Sequence, residues 1–265
     1  MKRTNVVSMR SLLSGSARYK PIATHRGFMW SPAEVAQLLV DLELAAKADE
    51  HEDEETVPHE RFYLGVMTVN HFRGGQYIVI DGQQRLVTLA LILAFARDRI
   101  EDAGERQRLD RMLVRRSLTK SPEARIRLSP EDHAWFSHFI LPPGATRRLP
   151  ANAPIGSPRA LLLAARFMEQ AFLSYSQDDL ITIADYIRRH AAFVRTVTVD
   201  ANAFVPEHAP PAHLPAPQAQ QPHRVQPEFT PQPRRPFQPE SINAQYARRA
   251  AAQSQHQRMF GIAAE

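Results

Sequence analysis

The sequence predicts a mixed α/β (α+β) protein: a small sheet against a buried central helix, then a helical region, then a proline-rich tail. Three observations carry that reading. Apolar runs at 61–72 and 76–81 flank Gly74-Gly75, the pattern of two strands joined by a turn. Directly behind them, residues 83–100 are hydrophobic on nearly every side through Phe95, the mark of a helix enclosed by other elements. Near residue 205 the composition changes, and 11 prolines fall between Pro206 and Pro239.

Each element has its own local cause. Ser31-Pro32-Ala33-Glu34 supplies an N-cap, a proline for the first position and a first-turn acid. Val35, Leu38, Leu39 and Leu42 follow at helical spacing. The acidic stretch Asp49 to Glu60 reads as a loop. Gln76 to Asp81 forms the second strand of a hairpin, and Gly82 ends it. Amphipathic helices are expected at 105–118 and 129–141, the latter opened by Ser129-Pro130-Glu131-Asp132. A proline-rich connection at 142–158 leads to helices near 159–174 and 178–190, and Phe193-Val-Arg-Thr-Val-Thr-Val reads as a final strand. Proline density beyond Pro206 removes amide donors and forbids regular ladders, so that segment is expected to be an extended, disordered tail. The resulting domain division is 1–128, 129–205 and 206–265.

Composition excludes several kinds of chemistry. There is no cysteine among the 265 residues, so disulfides, thiolate metal sites and thiol nucleophiles are out. The longest apolar run, Leu86 to Ala96, is too short for a bilayer, and Met1-Lys-Arg-Thr-Asn lacks the apolar stretch of a signal peptide. A cytoplasmic protein without membrane attachment is expected. The formal charge is +5 and the pI about 9.8, which permits an anionic partner without requiring one. Between Arg97 and Arg127 ten Lys or Arg face six acids. That run reads first as solvated surface, and as the best phosphate-backbone contact if DNA binds. His133 and His138, five apart on one helix, read as surface residues. Asp178-Asp179 reads as a helix start, and Trp30 and Trp135 as core.

The densest chemistry lies in Tyr77-Ile-Val-Ile-Asp81-Gly82-Gln83-Gln84-Arg85-Leu86. A strand delivers the chain to a glycine turn, and a helix opens at once. Free amides at a helix N-terminus and the positive end of its dipole suit an anion. Arg85 adds a planar donor fork for phosphate, Asp81 a ligand for Mg²⁺ or an orienter of water, and Gln83 and Gln84 amides for phosphate oxygens or a base edge. A plainer reading covers the same residues: Asp81 as cap, Gly82 as turn, Gln and Arg as ordinary first-turn side chains. No G-x-x-x-x-G-K-[ST] loop occurs, which excludes a P-loop NTPase.

Asp81 to Leu89, D-G-Q-Q-R-L-V-T-L, resembles the signature of the ParB-like N-terminal domain of GmrSD-type modification-dependent restriction enzymes, departing only at Val87. Arg26-Gly-Phe-Met-Trp30 resembles the end of that family's P-x-Y-Q-R-x-Y-x-W segment, with His25 and Thr24 in place of its Gln and Tyr. Glu34 to Leu42 resembles its following helix and Tyr63-Leu64-Gly65 its F-x-G strand. The resemblance spans roughly residues 19–205 and thins after Arg85. It implies a ParB/sulfiredoxin-like fold whose pocket holds a nucleoside triphosphate with Mg²⁺. Asp81 and Arg85 would be catalytic, Asp81 also the metal ligand, and Arg26, Gly82, Gln83, Gln84 and Arg85 the nucleotide contacts. The implied partners are the nucleotide, DNA and a separate nuclease subunit, with hydrolysis supporting cleavage. A non-hydrolytic nucleotide or DNA-binding module, or an inactive fragment, is the alternative. His208, His213 and His223 stand isolated among prolines without an H-N-H arrangement. The family's F-x-x-L-N-x-x-G continuation is replaced by the tail, which is either a true linker or, the reading favoured here, the product of a truncation or frameshift near residue 205.

Overall fold

The computed structural model describes residues 2–22, 27–49, 62–117 and 121–198. The acidic stretch beyond Asp49, the tail and its histidines, and Arg26 lie outside the described residues. The chain divides into Met1–Phe204 and Val205–Glu265; everything below concerns the first unit.

Its described elements run β1 (Lys2–Ser8), α1 (Met9–Leu12), β2 (Arg18–Pro21), α2 (Pro32–Asp49), β3 (Phe62–Phe72), β4 (Gln76–Asp81), α3 (Gln83–Arg99), α4 (Ala103–Leu113), β5 (Val114–Arg115), β6 (Glu123–Ala124), α5 (Pro130–Phe139), α6 (Ser157–Ala171), α7 (Gln177–Arg189) and β7 (Ala191–Thr198). Five strands form one mixed sheet in the order β1-β7-β3-β4-β2, and β5 and β6 pair apart from it. The expected hairpin is present: β3 and β4 are antiparallel, with Phe72 opposite Gln76. Gly74 and Gly75, both at positive φ, turn the chain between them.

The final strand does more than the sequence suggested. β7 lies between β1, to which it is antiparallel, and β3, to which it is parallel. Residues from both sides of position 128 therefore build one sheet. The sequence reading also passed over β1, α1 and β2, because Lys2 to Asn5 are polar and exposed edge positions with little apolar alternation.

Alternation along the strands sorts the two faces. Val7, Met67, Val69, Val79 and Phe193 are buried against the helices, while Tyr63, Val66 and Ile80 stand exposed. α3 is the centre of the core. Leu86 to Ala96 are all buried, and the Thr88 hydroxyl within that run donates to the Gln84 carbonyl at 3.0 Å. Helix starts follow the sequence. Glu34 accepts from the Ser31 amide at 2.8 Å, and Ser176 and Asp179 form a reciprocal capping box at α7. These hydrogen bonds hold the Asp179 carboxyl below its usual range.

The basic stretch 97–127 is not one solvated face. Arg97 is buried and donates to Asp98, Asp110 and the carbonyls of Ile140, Leu141 and Pro142, tying the end of α3 to the chain after α5. Arg125 is also buried, its guanidinium spent on the carbonyls of Arg111, Gly15 and Ala17. Among the described residues of the stretch, Arg106, Arg108, Arg111, Arg116 and Arg127 remain exposed.

Candidate functional site at the start of α3

β4 ends at Asp81, and α3 begins two residues later. Gly82 makes that junction at φ 92°, a left-handed value that a side chain would strain. A Cβ there would also stand 3.3 Å from the Met67 Cα on β3. The Asp81 carboxylate accepts from the Gly82 amide at 2.7 Å through Oδ1. It is thus bonded to its neighbour and is not the helix cap; Gly82 is, and no side chain caps the helix. No acidic residue lies in the first turn. The N-terminus of a 17-residue buried helix is left with amides that no side chain satisfies.

Arg85 is exposed and forms no ion pair among the described residues. Its guanidinium lies over Gly65: a Cβ on that glycine would be 3.2 Å from Arg85 Nη1. Gly65 has φ 93° and falls where the pairing of β3 with β7 shifts register. The glycine of the Tyr63-Leu64-Gly65 segment and the arginine of the motif, twenty residues apart in the chain, therefore form one feature.

The two glutamines differ sharply. Gln83 is buried, and its side-chain Oε1 accepts no hydrogen bond. Gln84 instead clamps the chain that follows Arg26. Its Nε2 donates to the Gly27 carbonyl at 3.1 Å, and its Oε1 accepts from the Met29 amide at 2.9 Å. The same segment is held from the other side by Asp132, which is wholly buried on α5. Asp132 Oδ2 accepts from the Phe28 amide at 2.9 Å, and its Oδ1 accepts from the Ser157 hydroxyl at the start of α6. A Cβ on Gly27 would collide with Ser157 and Asp132, so only glycine fits there. Arg26 lies outside the described residues, but the residue after it is bonded directly to the motif helix.

Sequence alone gives Asp132 no role beyond the Ser129-Pro130-Glu131-Asp132 helix start. A signal existed. Asp132, Trp135, Phe136 and Phe139 recur at helical spacing, placing the acid on the apolar stripe of α5. His133 likewise departs from expectation. It is half-buried near the Ser137 hydroxyl, and burial together with Arg127 holds its imidazole below the usual range. His138 is exposed and Trp135 buried, as expected.

The sequence profile of the GmrSD restriction endonuclease, N-terminal domain, matches residues 12–204, well over half of the chain. The chain belongs to that family. Membership indicates a component of a restriction system, and the matched span ends where the proline-rich composition begins. No curated protein sequence matches the chain. No helix among the described residues is long and apolar enough to cross a membrane, and no group of three or more metal-ligating His, Asp or Glu occurs among them.

Proposed function

We propose that the junction of β4 and α3 binds a Mg²⁺–nucleoside triphosphate and hydrolyses it in support of DNA cleavage by a nuclease supplied elsewhere, in the cytoplasm. The observation that carries this reading is the uncapped start of α3 beside the Arg85 guanidinium, which forms no ion pair among the described residues, in the gap that Gly65 leaves open. Backbone amides and a planar cation converging on one space suit phosphate oxygens. Arg26, one residue from the Gln84 clamp, is the second phosphate contact in this reading. Mg²⁺ is commonly held by one or two carboxylates together with substrate phosphates, and Asp81 fits as such a single protein ligand through Oδ2. The ion would supply charge neutralisation of the phosphates.

Arg85→Ala should weaken triphosphate binding by about 1.5–3 kcal/mol, the worth of a charge-assisted contact. Calorimetry showing equal binding by the variant overturns the site. A non-hydrolytic binding module is the second reading, favoured by the Asp81 Oδ1 bond to its own chain neighbour. Asp81→Asn separates the two. Phosphate release that falls far more than binding supports hydrolysis, whereas binding without turnover in either protein supports the module.

A further inference from the structure

A second concavity lies at the other end of β4. It is a cleft of about 500 Å³ beside the junction of β1 and α1, and no residue of the Asp81–Arg85 motif lines it. Tyr77, which does, precedes Asp81 by four residues, roughly 13 Å along a strand. The lining is mostly polar and includes Ser8, Ser11, Ser14, Ser16, Tyr19 and Arg195. Tyr19 is 1% exposed and its hydroxyl lies within reach of the Arg195 guanidinium, yet neither that hydroxyl nor the buried Arg195 Nε has a hydrogen-bond partner of normal geometry. Leaving such groups unmade is costly, so two of them on one cleft ask for an occupant.

The charge narrows what that occupant is. Arg195 makes no ion pair among the described residues and stands 5.5 Å over the Tyr77 ring. Arg125 adds a second positive field at Tyr19. Water could complete the hydroxyl's bonds but could not neutralise the guanidinium. Burial pushes the Tyr19 phenol up to about 12, with Arg195 opposing, so it remains a neutral donor. Stacking on the Tyr77 ring is already taken by Tyr19 at 5.0 Å and His71 at 4.7 Å, which leaves no open aromatic face for a base. Ser8 donates to the Ser11 hydroxyl and Ser14 to the Ser11 carbonyl, which leaves the hydroxyls of Ser11, Ser16 and Tyr19 with the Arg195 guanidinium. Several donors beside one cation suit a tetrahedral oxyanion better than a two-oxygen carboxylate.

We propose that this cleft is a binding site for the phosphoryl group of a small hydroxylated molecule, with Arg195 and the Tyr19 hydroxyl as its anion contacts. The site is separate from the triphosphate site and does not depend on that assignment.

The test uses the full chain carrying Arg85→Ala, so that the start of α3 does not compete. Inorganic phosphate, ribose 5-phosphate and acetate are titrated by calorimetry. Phosphate and ribose 5-phosphate should bind and acetate should not. Adding Tyr19→Phe or Arg195→Gln should weaken binding at least about tenfold, as for a lost hydrogen bond to a charged group. Tyr19→Phe keeps the ring stack and removes only an unsatisfied hydroxyl, so without ligand it should melt no lower than its parent. It carries the test even if Arg195→Gln fails to fold. Three results overturn the proposal: no binding of either phosphate probe, binding indifferent to both substitutions, or acetate binding as tightly as phosphate.

Discussion

Gln84 is the residue on which structure and motif disagree most usefully. As a contact for a nucleobase or phosphate, its truncation should spare the fold and weaken ligand binding. As the clamp seen here, its truncation should do the reverse in the first instance. Gln84→Ala removes two neutral hydrogen bonds, to the Gly27 carbonyl and from the Met29 amide. Each is worth about 0.5–1.5 kcal/mol. Met29 is exposed, so water recovers part of its loss, and alanine's better helix propensity returns a few tenths more. The net cost is about 1–2 kcal/mol. For a folded unit of this size that lowers the melting temperature by about 2–8 °C. Urea unfolding of the full chain measures the free energy, and calorimetry with triphosphate measures binding at a temperature where the variant is folded. Binding should weaken only to the extent that the 27–29 segment loosens. Wild-type stability combined with lost binding would refute the clamp and return the amide to the ligand.

Three further substitutions probe other parts of the argument. Arg97→Met leaves Asp98, Asp110 and three carbonyls without their shared buried donor, and should cost about 3–5 kcal/mol by urea unfolding; a loss under about 1 kcal/mol would show the network to be dispensable. Gly65→Ala places a methyl against Arg85 at a left-handed φ, so it should cost about 1–2 kcal/mol and weaken triphosphate binding as well; unchanged binding would separate Arg85 from the β3 glycine. His133 is held below its usual range, so above about pH 6.5 it is neutral in both folded and unfolded chains. As pH falls through that value the unfolded chain takes up the proton first, and stability drops until the folded pKa is passed. His133→Asn should therefore lose less melting temperature than wild type between about pH 7.5 and about pH 5.5, and parallel curves would count against the shift.

Much of this fold was legible because its central elements are locally consistent. The β3–β4 hairpin has glycines where positive φ is needed, and α3 has an apolar run too continuous for a surface helix. What escaped was set by distant pairing. The strand at the N-terminus is polar because it is an edge, and only its pairing with β7 makes it a strand. The burial of Arg97 and Arg125 escaped for a similar reason. Composition counts charges, but it does not say which carbonyls a guanidinium will reach after the chain has folded. In the site, Asp81, Gly82 and Arg85 stand where a strand–turn–helix reading put them. The partners of Gln84 and Asp132 lie 55 to 57 and 104 residues away in the chain for the 27–29 segment, and no local pattern encodes them.

The motif thus contains two kinds of residue, and they weigh differently for the proposed site. Gly82 and Gln84 have sufficient reason to be present in the fold itself, so finding them says little about activity. Asp81 and Arg85 do not. Both are exposed, and although they are opposite charges near one helix end, they form no ion pair with each other. Arg85 is moreover a cation in the first turn of α3, with no acid in that turn. A positive side chain at the positive end of a helix dipole is unfavourable by roughly 0.3–1 kcal/mol, with Asp81 just outside the turn offsetting part of it. An anion seated between the amides and the guanidinium reverses that sign, because each repulsive element then becomes a contact. That arrangement of charges is what the proposed phosphate site requires, and a helix start built for stability alone does not call for it.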